Sequence, residues 1–230
     1  GTSLNMNANE VIANRAIELL GGNKGDYSII NPNDDVNCSQ STNDVIPTAG
    51  KMTSLRLLKN LKHELLQLHG ALCKKAEEFN DVIKMGRTQL QDAVPIRLGQ
   101  EFRAYSVAIM RDIHRMEKAM GEMRTLNLGG TAVGTGLNAD EAYLHRIVPI
   151  LSEVSDMDLA QAYDLIDATQ NLDVFVAVSG AVKACAVTLS KIANDLRLMS
   201  SGPRAGLAEI NLPAKQNGSS IMPGKINPVI

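Results

Sequence analysis

Residues 172–200 read LDVFVAVSGAVKACAVTLSKIANDLRLMS, and this segment is the strongest indication of the fold class. Over residues 174–189 the only charged side chain is Lys183, so a helix here is apolar on nearly every side. A helix of that kind is buried on all sides. Gly202 and Pro203 follow, and such a pair commonly ends a helix. The stretch therefore predicts a long helix that is buried all round.

Two amphipathic helices precede it. Over residues 47–80, with Pro47 in the first turn and Asp44 just before it, apolar residues step by three and four. Residues 98–123 carry the same stripe, whose methionines we interpret as core. The positions that define the two stripes are Leu58, Leu61, Leu65, Leu68, Leu72, Ala76 and Phe79, and then Leu98, Phe102, Tyr105, Ile109, Ile113, Met116, Met120 and Met123.

The rest of the chain adds a shorter helical piece over residues 141–154, which Pro149 is expected to interrupt. No segment alternates in the manner of a strand, so the sequence predicts an all-α fold, a bundle of long helices. Helices of roughly 30 residues are about 45 Å long, which makes the bundle elongated. A bundle that contains a helix apolar on all sides usually buries it in a partner subunit, so we expect a homo-oligomer.

Composition excludes several classes of function. The 230 residues carry a net charge of −2, 3% aromatic residues and no Trp, which argues against binding nucleic acid. No run approaches the roughly 18 consecutive apolar residues of a membrane span, so no membrane role is expected. The three cysteines form no CxxC pair, which is typical of a reducing, cytoplasmic location. The four histidines form no HxxxH pair, so we expect no metal site.

Hydroxyl and amide side chains concentrate in four connecting segments. They are GTSLNMN at residues 1–7, NCSQSTND at 37–44, KMGRTQLQD at 84–92 and GSSIMPGKINP at 218–228. Such segments can simply cap helices, but free N–H groups at helix starts also bind anions. The last segment is not a P-loop, because the spacing of its glycines is wrong and Ile226 stands where a Ser or Thr would hold magnesium.

Residues 1–7, 39–44 and 218–228 resemble the three signature regions of the fumarase/aspartase superfamily, and the last of them matches its Gly-Ser-Ser-x-Met-Pro-x-Lys-x-Asn-Pro pattern. Residues 202–207, GPRAGL, are similar as well, and the resemblance extends over the whole chain. It implies a central fragment of a family chain. Residues 1–46 then correspond to the end of an N-terminal domain and the entry to the bundle, and residues 47–230 to an incomplete central bundle.

The resemblance implies an anti elimination of ammonia from L-aspartate to give fumarate, without an organic cofactor. Removing the proton beside a carboxylate adds a second negative charge to it, which preorganised donors must stabilise. The implied catalytic base is Ser219. From the residues around it, and not from the family pattern, we expect Gly218 and Ser220, with the turn before Pro223, to supply a nest of N–H donors that favours its alkoxide. The implied substrate-binding residues are Thr2, Ser41, Thr42 and Ser220 for the β-carboxylate, Lys225 and Asn227 for the α-carboxylate, and Asn43, Thr88 and Gln89 near the amino group.

The family pattern further implies a homotetramer whose active sites are shared between subunits. Two alternatives stay open. One is a fumarase, which adds water to fumarate, because many fumarases and some aspartases have His where this chain has Gln89. The other is a helical scaffold that has lost activity, although Ser219, Lys225 and Asn227 are all present.

Overall fold

The computed structural model describes residues 1–229. Helices account for most of them, and the predicted class, a fold of long helices, is confirmed. The elements in chain order are α1 (Thr2–Leu19), a π-helix (Pro32–Val36), α2 (Thr42–Glu78), β1 (Ile83–Thr88), β2 (Gln91–Arg97), α3 (Leu98–Met123), β3 (Thr125–Leu126), α4 (Glu141–Ser155), β4 (Ala160–Gln161), α5 (Leu165–Gln170), α6 (Asp173–Met199), β5 (Gln216–Asn217) and β6 (Ile226–Asn227).

These elements form two compact units. The first contains Gly1–Asn60 and Glu117–Val178, and the second contains Leu61–Met116 and the described residues from Ser179 onward. The predicted division at residue 46 concerns whole family chains and stays a prediction. In the first unit the core is a cluster of Leu55, Met123, Leu126, Leu128, Val148 and Leu159. In the second unit the stripe on α3 is buried as predicted, at Leu98, Phe102, Tyr105, Ile109, Ile113 and Met116.

The start of α2 differs from the prediction. The helix begins at Thr42, so Asp44 lies in its first turn and Pro47 inside it. Pro47 has no N–H to donate to the carbonyl of Asn43 four residues earlier. The side-chain amide of Asn127 donates to that carbonyl instead, at 3.0 Å, and this replaces the missing helical hydrogen bond.

A β-hairpin over residues 83–97 also departs from the prediction that no strand is present. β1 and β2 pair antiparallel, from Ile83 opposite Arg97 to Thr88 opposite Gln91. Neither strand contains a buried residue, so neither shows the alternation of apolar and polar side chains by which a strand is recognised. The pattern is absent because the hairpin buries no apolar side chain.

The expectation that Pro149 interrupts a helix is wrong, because α4 continues through it to Ser155. Proline removes one helical hydrogen bond, to the carbonyl of His145 four residues earlier. Both Pro149 and His145 are exposed, so water can take the place of the missing donor. The only α4 residue that is fully buried is Val148.

Helix α6 is less buried within this chain than its composition predicts. Its buried residues form one stripe, Ala181, Cys185, Ile192 and Met199, while Val176 and Val187 are 72% and 64% exposed. Its length and its mean hydropathy of 1.5 over 18 residues would also allow it to cross a membrane, a property that core helices of other proteins share. The expectation of burial on all sides is therefore wrong for the chain by itself.

Candidate active site

The first group of predicted site residues lies at the start of α2. Ser41 precedes the helix, and its Oγ accepts a hydrogen bond from the N–H of Asn43 at 3.2 Å. In return, Oδ1 of Asp44 accepts from the N–H of Ser41 at 3.0 Å. This reciprocal pair is a capping box, which satisfies two N–H groups that no helical carbonyl can reach. It fixes the backbone that carries Ser41, Thr42 and Asn43.

Asp44 also connects this helix start to the glycine-rich loop that follows β3. Its side chain is completely buried, and its Oδ2 accepts from the N–H groups of Gly129 at 3.1 Å and Thr131 at 3.0 Å. Burial raises the pKa of Asp44, because desolvation penalises the carboxylate more than its backbone N–H donors favour it. The carboxyl group therefore holds two segments of the first unit together.

Asn43 has a side-chain amide of fixed orientation. Its Nδ2 donates to the carbonyl oxygen of Ala132 at 2.7 Å. Because a carbonyl only accepts, the nitrogen must face Ala132 and Oδ1 must point the other way. Asn43 is exposed, so this oxygen is available to a ligand that carries only donors, such as an ammonium group.

Helix α1 approaches the same place. A Cβ atom on Gly1 would lie 3.2 Å from Cγ2 of Thr42, and Thr2 is the first residue of α1. Nδ2 of Asn5 donates to Oγ1 of Thr42 at 3.2 Å. The structure therefore brings Thr2 to the helix start that carries Ser41, Thr42 and Asn43.

Asn5 and Asn9 are buried polar residues that the sequence analysis missed. They are 4% and 5% exposed, and each donates through Nδ2 to Oδ1 of Asn37. They continue the buried face of α1 that Ala13 and Ile17 form in the following turns. The sequence signal was this spacing of four residues, which extends an apolar stripe into two amides.

The second group begins at the tip of the β1–β2 hairpin, where Thr88 and Gln89 are exposed. Gln89 and Leu90 have φ values of 52° and 62°. Two consecutive residues with positive φ between paired strands are typical of a type I′ turn, which normally contains Asn or Gly. A glutamine and a leucine in this conformation are strained.

Two cations on β1 form a cluster of ion pairs with Glu101 and Glu209. Nζ of Lys84 lies 2.6 Å from Glu101 and 2.8 Å from Glu209, and Nη1 of Arg87 lies 2.7 Å from Glu209. Burial opposes the charge on Lys84, but its two carboxylate partners outweigh burial and raise its pKa. Burial likewise opposes the charge on Glu209, but Lys84 and Arg87 lower its pKa. Glu209, which no motif singled out, thus joins β1 to the segment after α6.

The predicted base, Ser219, lies on an exposed loop that β5 and β6 close by pairing Asn217 with Ile226. Within the loop, the N–H of Gly218 donates to the carbonyl of Lys225 at 2.9 Å. Gly218 is therefore unavailable to Ser219, and its predicted place in a nest of N–H donors is wrong. The N–H of Ile221 lies 3.5 Å from Oγ of Ser219, so the turn before Pro223 does supply a donor, at long range.

Lys225 and Asn227 line a groove of about 1040 Å³ in the second unit. Arg197, in the last turn of α6, lines it as well, and so does Asn194. Two cations and no carboxylate are found among the described residues of its wall. Such a wall attracts anions. The sequence signal for Arg197 was its position as a cation at a helix C-terminus. Solvent-exposed cations are also common at that position, so the signal does not by itself indicate a binding site.

The ten predicted site residues thus fall into two sets, each within its own unit. Thr2, Ser41, Thr42 and Asn43 belong to the first unit, and Thr88, Gln89, Ser219, Ser220, Lys225 and Asn227 to the second. Within residues 1–229, no group of three His, Cys, Asp or Glu side chains is placed to hold a metal ion.

A sequence profile for a family described as Lyase matches residues 1–230. The chain belongs to the fumarase/aspartase superfamily. Among curated members of this superfamily, it is 58% identical to an aspartate ammonia-lyase of Bacillus subtilis and 54% identical to one of Pseudomonas aeruginosa. All of the chain is covered in both comparisons, against 48% and 49% of the two relatives. The chain spans about half the length of the curated relatives it matches.

Solved structures of the superfamily agree with the fold. A fumarate lyase:delta crystallin from Brucella melitensis, bound to cobalt, has a TM-score of 0.95 and 55% identity over 99% of this chain and 50% of its own. A class II fumarase from Schistosoma mansoni has a TM-score of 0.93 and 37% identity over 99% of this chain and 51% of its own. The helices described above are therefore a part of the superfamily fold.

Proposed function

We propose that the whole protein containing this chain is an aspartate ammonia-lyase, which eliminates ammonia from L-aspartate to give fumarate. The observation that carries the proposal is the fixed amide of Asn43, whose Nδ2 is held by the carbonyl of Ala132 so that Oδ1 is left to accept. A substrate ammonium carries donors only and suits this oxygen. The names of the relatives that are 54–58% identical over the whole chain support the same reaction.

In the proposed reaction, Ser219 takes the proton from the carbon beside the β-carboxylate. The electron pair of the broken C–H bond moves into that carboxylate, which then carries two negative charges. Hydroxyl donors from Thr2, Thr42 and Ser220, together with Ser41, stabilise this intermediate most when its charge is greatest. The pair then returns to form the double bond as the C–N bond breaks, and ammonia leaves from the face opposite to the proton.

The α-carboxylate is proposed to bind Lys225 and Asn227. Their groove has two cations, Lys225 and Arg197, and no carboxylate among its described lining residues, which suits a dicarboxylate substrate. The amino group is proposed to bind Asn43, Thr88 and Gln89. A malate hydroxyl can both donate and accept, so several acceptors together are needed to favour the ammonium.

Ser219 as the base needs N–H donors that favour its alkoxide. Ile221 supplies one donor at 3.5 Å, a distance at which a hydrogen bond is weak. The remaining stabilisation must come from donors on other parts of the whole enzyme. This requirement fits a homotetramer with shared active sites, which we also propose. We further propose that the enzyme is located in the cytoplasm. The exposed valines of α6, Val176 and Val187, provide apolar surface for such an assembly.

The test is the absorbance of fumarate formed by the whole protein from L-aspartate, measured beside L-malate under the same conditions. We expect deamination of aspartate and little or no dehydration of malate. Comparable kcat/KM for the two substrates would contradict the proposal, and a preference for malate would make the protein a fumarase. Formation of fumarate from neither substrate would indicate a scaffold without activity.

A further inference from the structure

The hydroxyl of Thr42 has a neighbour that controls where its proton can point. Nδ2 of Asn5 carries two hydrogens and, among the described residues, two acceptors lie within reach: Oδ1 of Asn37 and Oγ1 of Thr42, both at 3.2 Å. Asn37 Oδ1 can only accept, so it fixes the amide of Asn5 with the nitrogen toward Thr42. Thr42 Oγ1 must therefore accept from Asn5.

We infer that Asn5 is a positioning residue, which orients the Thr42 hydroxyl so that its own proton is left for the substrate carboxylate. A hydroxyl has one hydrogen and two lone pairs. The Asn5 amide occupies one lone pair of Thr42 Oγ1. Because the nitrogen of that amide cannot accept a hydrogen bond, the hydroxyl hydrogen of Thr42 must be donated to another group. A carboxylate is an acceptor only, so the oriented hydroxyl favours it over a ligand that donates. This inference rests on the proposed function.

The surroundings of Asn5 make the orientation firm. Its side chain is 4% exposed, so water does not compete for the amide. Asn9 donates to the same Asn37 oxygen at 3.0 Å and is 5% exposed, so two buried amides hold Asn37 in place. Preorganised donors of this kind cost no reorganisation when charge develops on the substrate.

The chain offers a matched control. Asn5→Ala and Asn9→Ala each remove one buried amide and one hydrogen bond to Asn37, but only Asn5→Ala removes the bond to Thr42. In the whole enzyme we expect both variants to lower Tm by similar amounts. We expect kcat/KM for L-aspartate to fall about tenfold in Asn5→Ala and to stay within about twofold in Asn9→Ala.

A double-mutant cycle separates orientation from general damage. Thr42→Val alone should lower kcat/KM by at least about tenfold, and adding Asn5→Ala to it should cause no further loss. Equal losses from Asn5→Ala with and without the Thr42 hydroxyl would overturn the inference and leave the proposed function standing. An unchanged kcat/KM in Thr42→Val would remove both the inference and the role of Thr42 in the proposed site.

A second variant keeps the test decisive if Asn5→Ala does not fold. Asn5→Asp preserves the shape but replaces the donor with an acceptor, which would take the Thr42 proton for itself. We expect kcat/KM to fall at least as far in Asn5→Asp as in Asn5→Ala. In a protein that already carries Thr42→Val, adding Asn5→Asp should cause no further loss. Full activity in Asn5→Asp would refute the inference.

Discussion

The start of α2 and the loop over residues 218–225 differ in how firmly the chain holds them. At the start of α2, Asp44 is completely buried and accepts three backbone hydrogen bonds, and the amide of Asn43 is held in one orientation. In the loop, Ser219 is exposed and its oxygen has one weak donor at 3.5 Å. The proposed binding groups at the start of α2 are thus preorganised by the fold, whereas the proposed base depends on what approaches it.

The largest effect that this comparison predicts is on the rate of the chemical step, with stability unchanged. Ser219→Ala should lower kcat by about a thousandfold, or about 4 kcal/mol in barrier height, with a much smaller change in KM, because the base acts in the transition state. Its Tm should stay unchanged, since the side chain is exposed. Steady-state kinetics and thermal unfolding of the whole enzyme measure both. Normal turnover would show that another residue is the base.

The next effect concerns stability. Asp44→Ala strands the N–H groups of Ser41, Gly129 and Thr131, so we expect the free energy of unfolding to fall by about 3 kcal/mol. The control is Asp158→Ala, which removes an exposed carboxylate paired with Arg124 and should cost less than about 1 kcal/mol. Denaturant unfolding compares the two. Equal losses would mean that the start of α2 is no firmer than the surface.

A third effect depends on pH. Removing the charge in Glu209→Gln leaves Lys84 and Arg87 without their shared carboxylate, and we expect a loss of about 2 kcal/mol at pH 7. The folded pKa of Glu209 is lowered below 4.5, so its stabilisation is present above pH 4.5 and is lost as pH falls through the folded value. Unfolding measured from pH 7 down to pH 3 should show wild type and variant converging. A gap independent of pH would contradict the ion-pair account.

The smallest effect is a gain in stability at the hairpin tip. Leu90 has a φ of 62° and is 70% exposed, so Leu90→Gly should relieve strain without loss of packing and raise stability by about 1 kcal/mol. Val94→Gly is the control, because Val94 is 66% exposed but lies within β2, where glycine should destabilise. Thermal unfolding distinguishes the two. A lower Tm for Leu90→Gly would mean that the turn gains more from the leucine than its strain costs.

Sequence periodicity predicted α2, α3 and α6 because each has at least one apolar stripe, as on α3 from Leu98 to Met123. It did not predict α1, because the buried face of that helix begins with two amides, Asn5 and Asn9. Periodicity missed the hairpin because β1 and β2 bury no apolar side chains that would impose alternation. The motifs placed Thr2, Thr42 and Ser219 on loops and helix starts, but they do not show which backbone N–H groups already donate a hydrogen bond within the fold. Gly218 was assigned to Ser219 and in fact donates to Lys225, a pairing that depends on the closure of the loop by β5 and β6.

The proline inside α2 also constrains how the sequence can drift over generations. While Pro47 is present, the carbonyl of Asn43 lacks its usual helical donor and relies on Asn127, a residue 0% exposed. Replacing Asn127 first would leave that carbonyl unpaired, whereas replacing Pro47 first restores the helical N–H and makes Asn127 dispensable there. The order of the two substitutions therefore matters, and relatives that have lost Asn127 are expected to have lost the proline at position 47 as well.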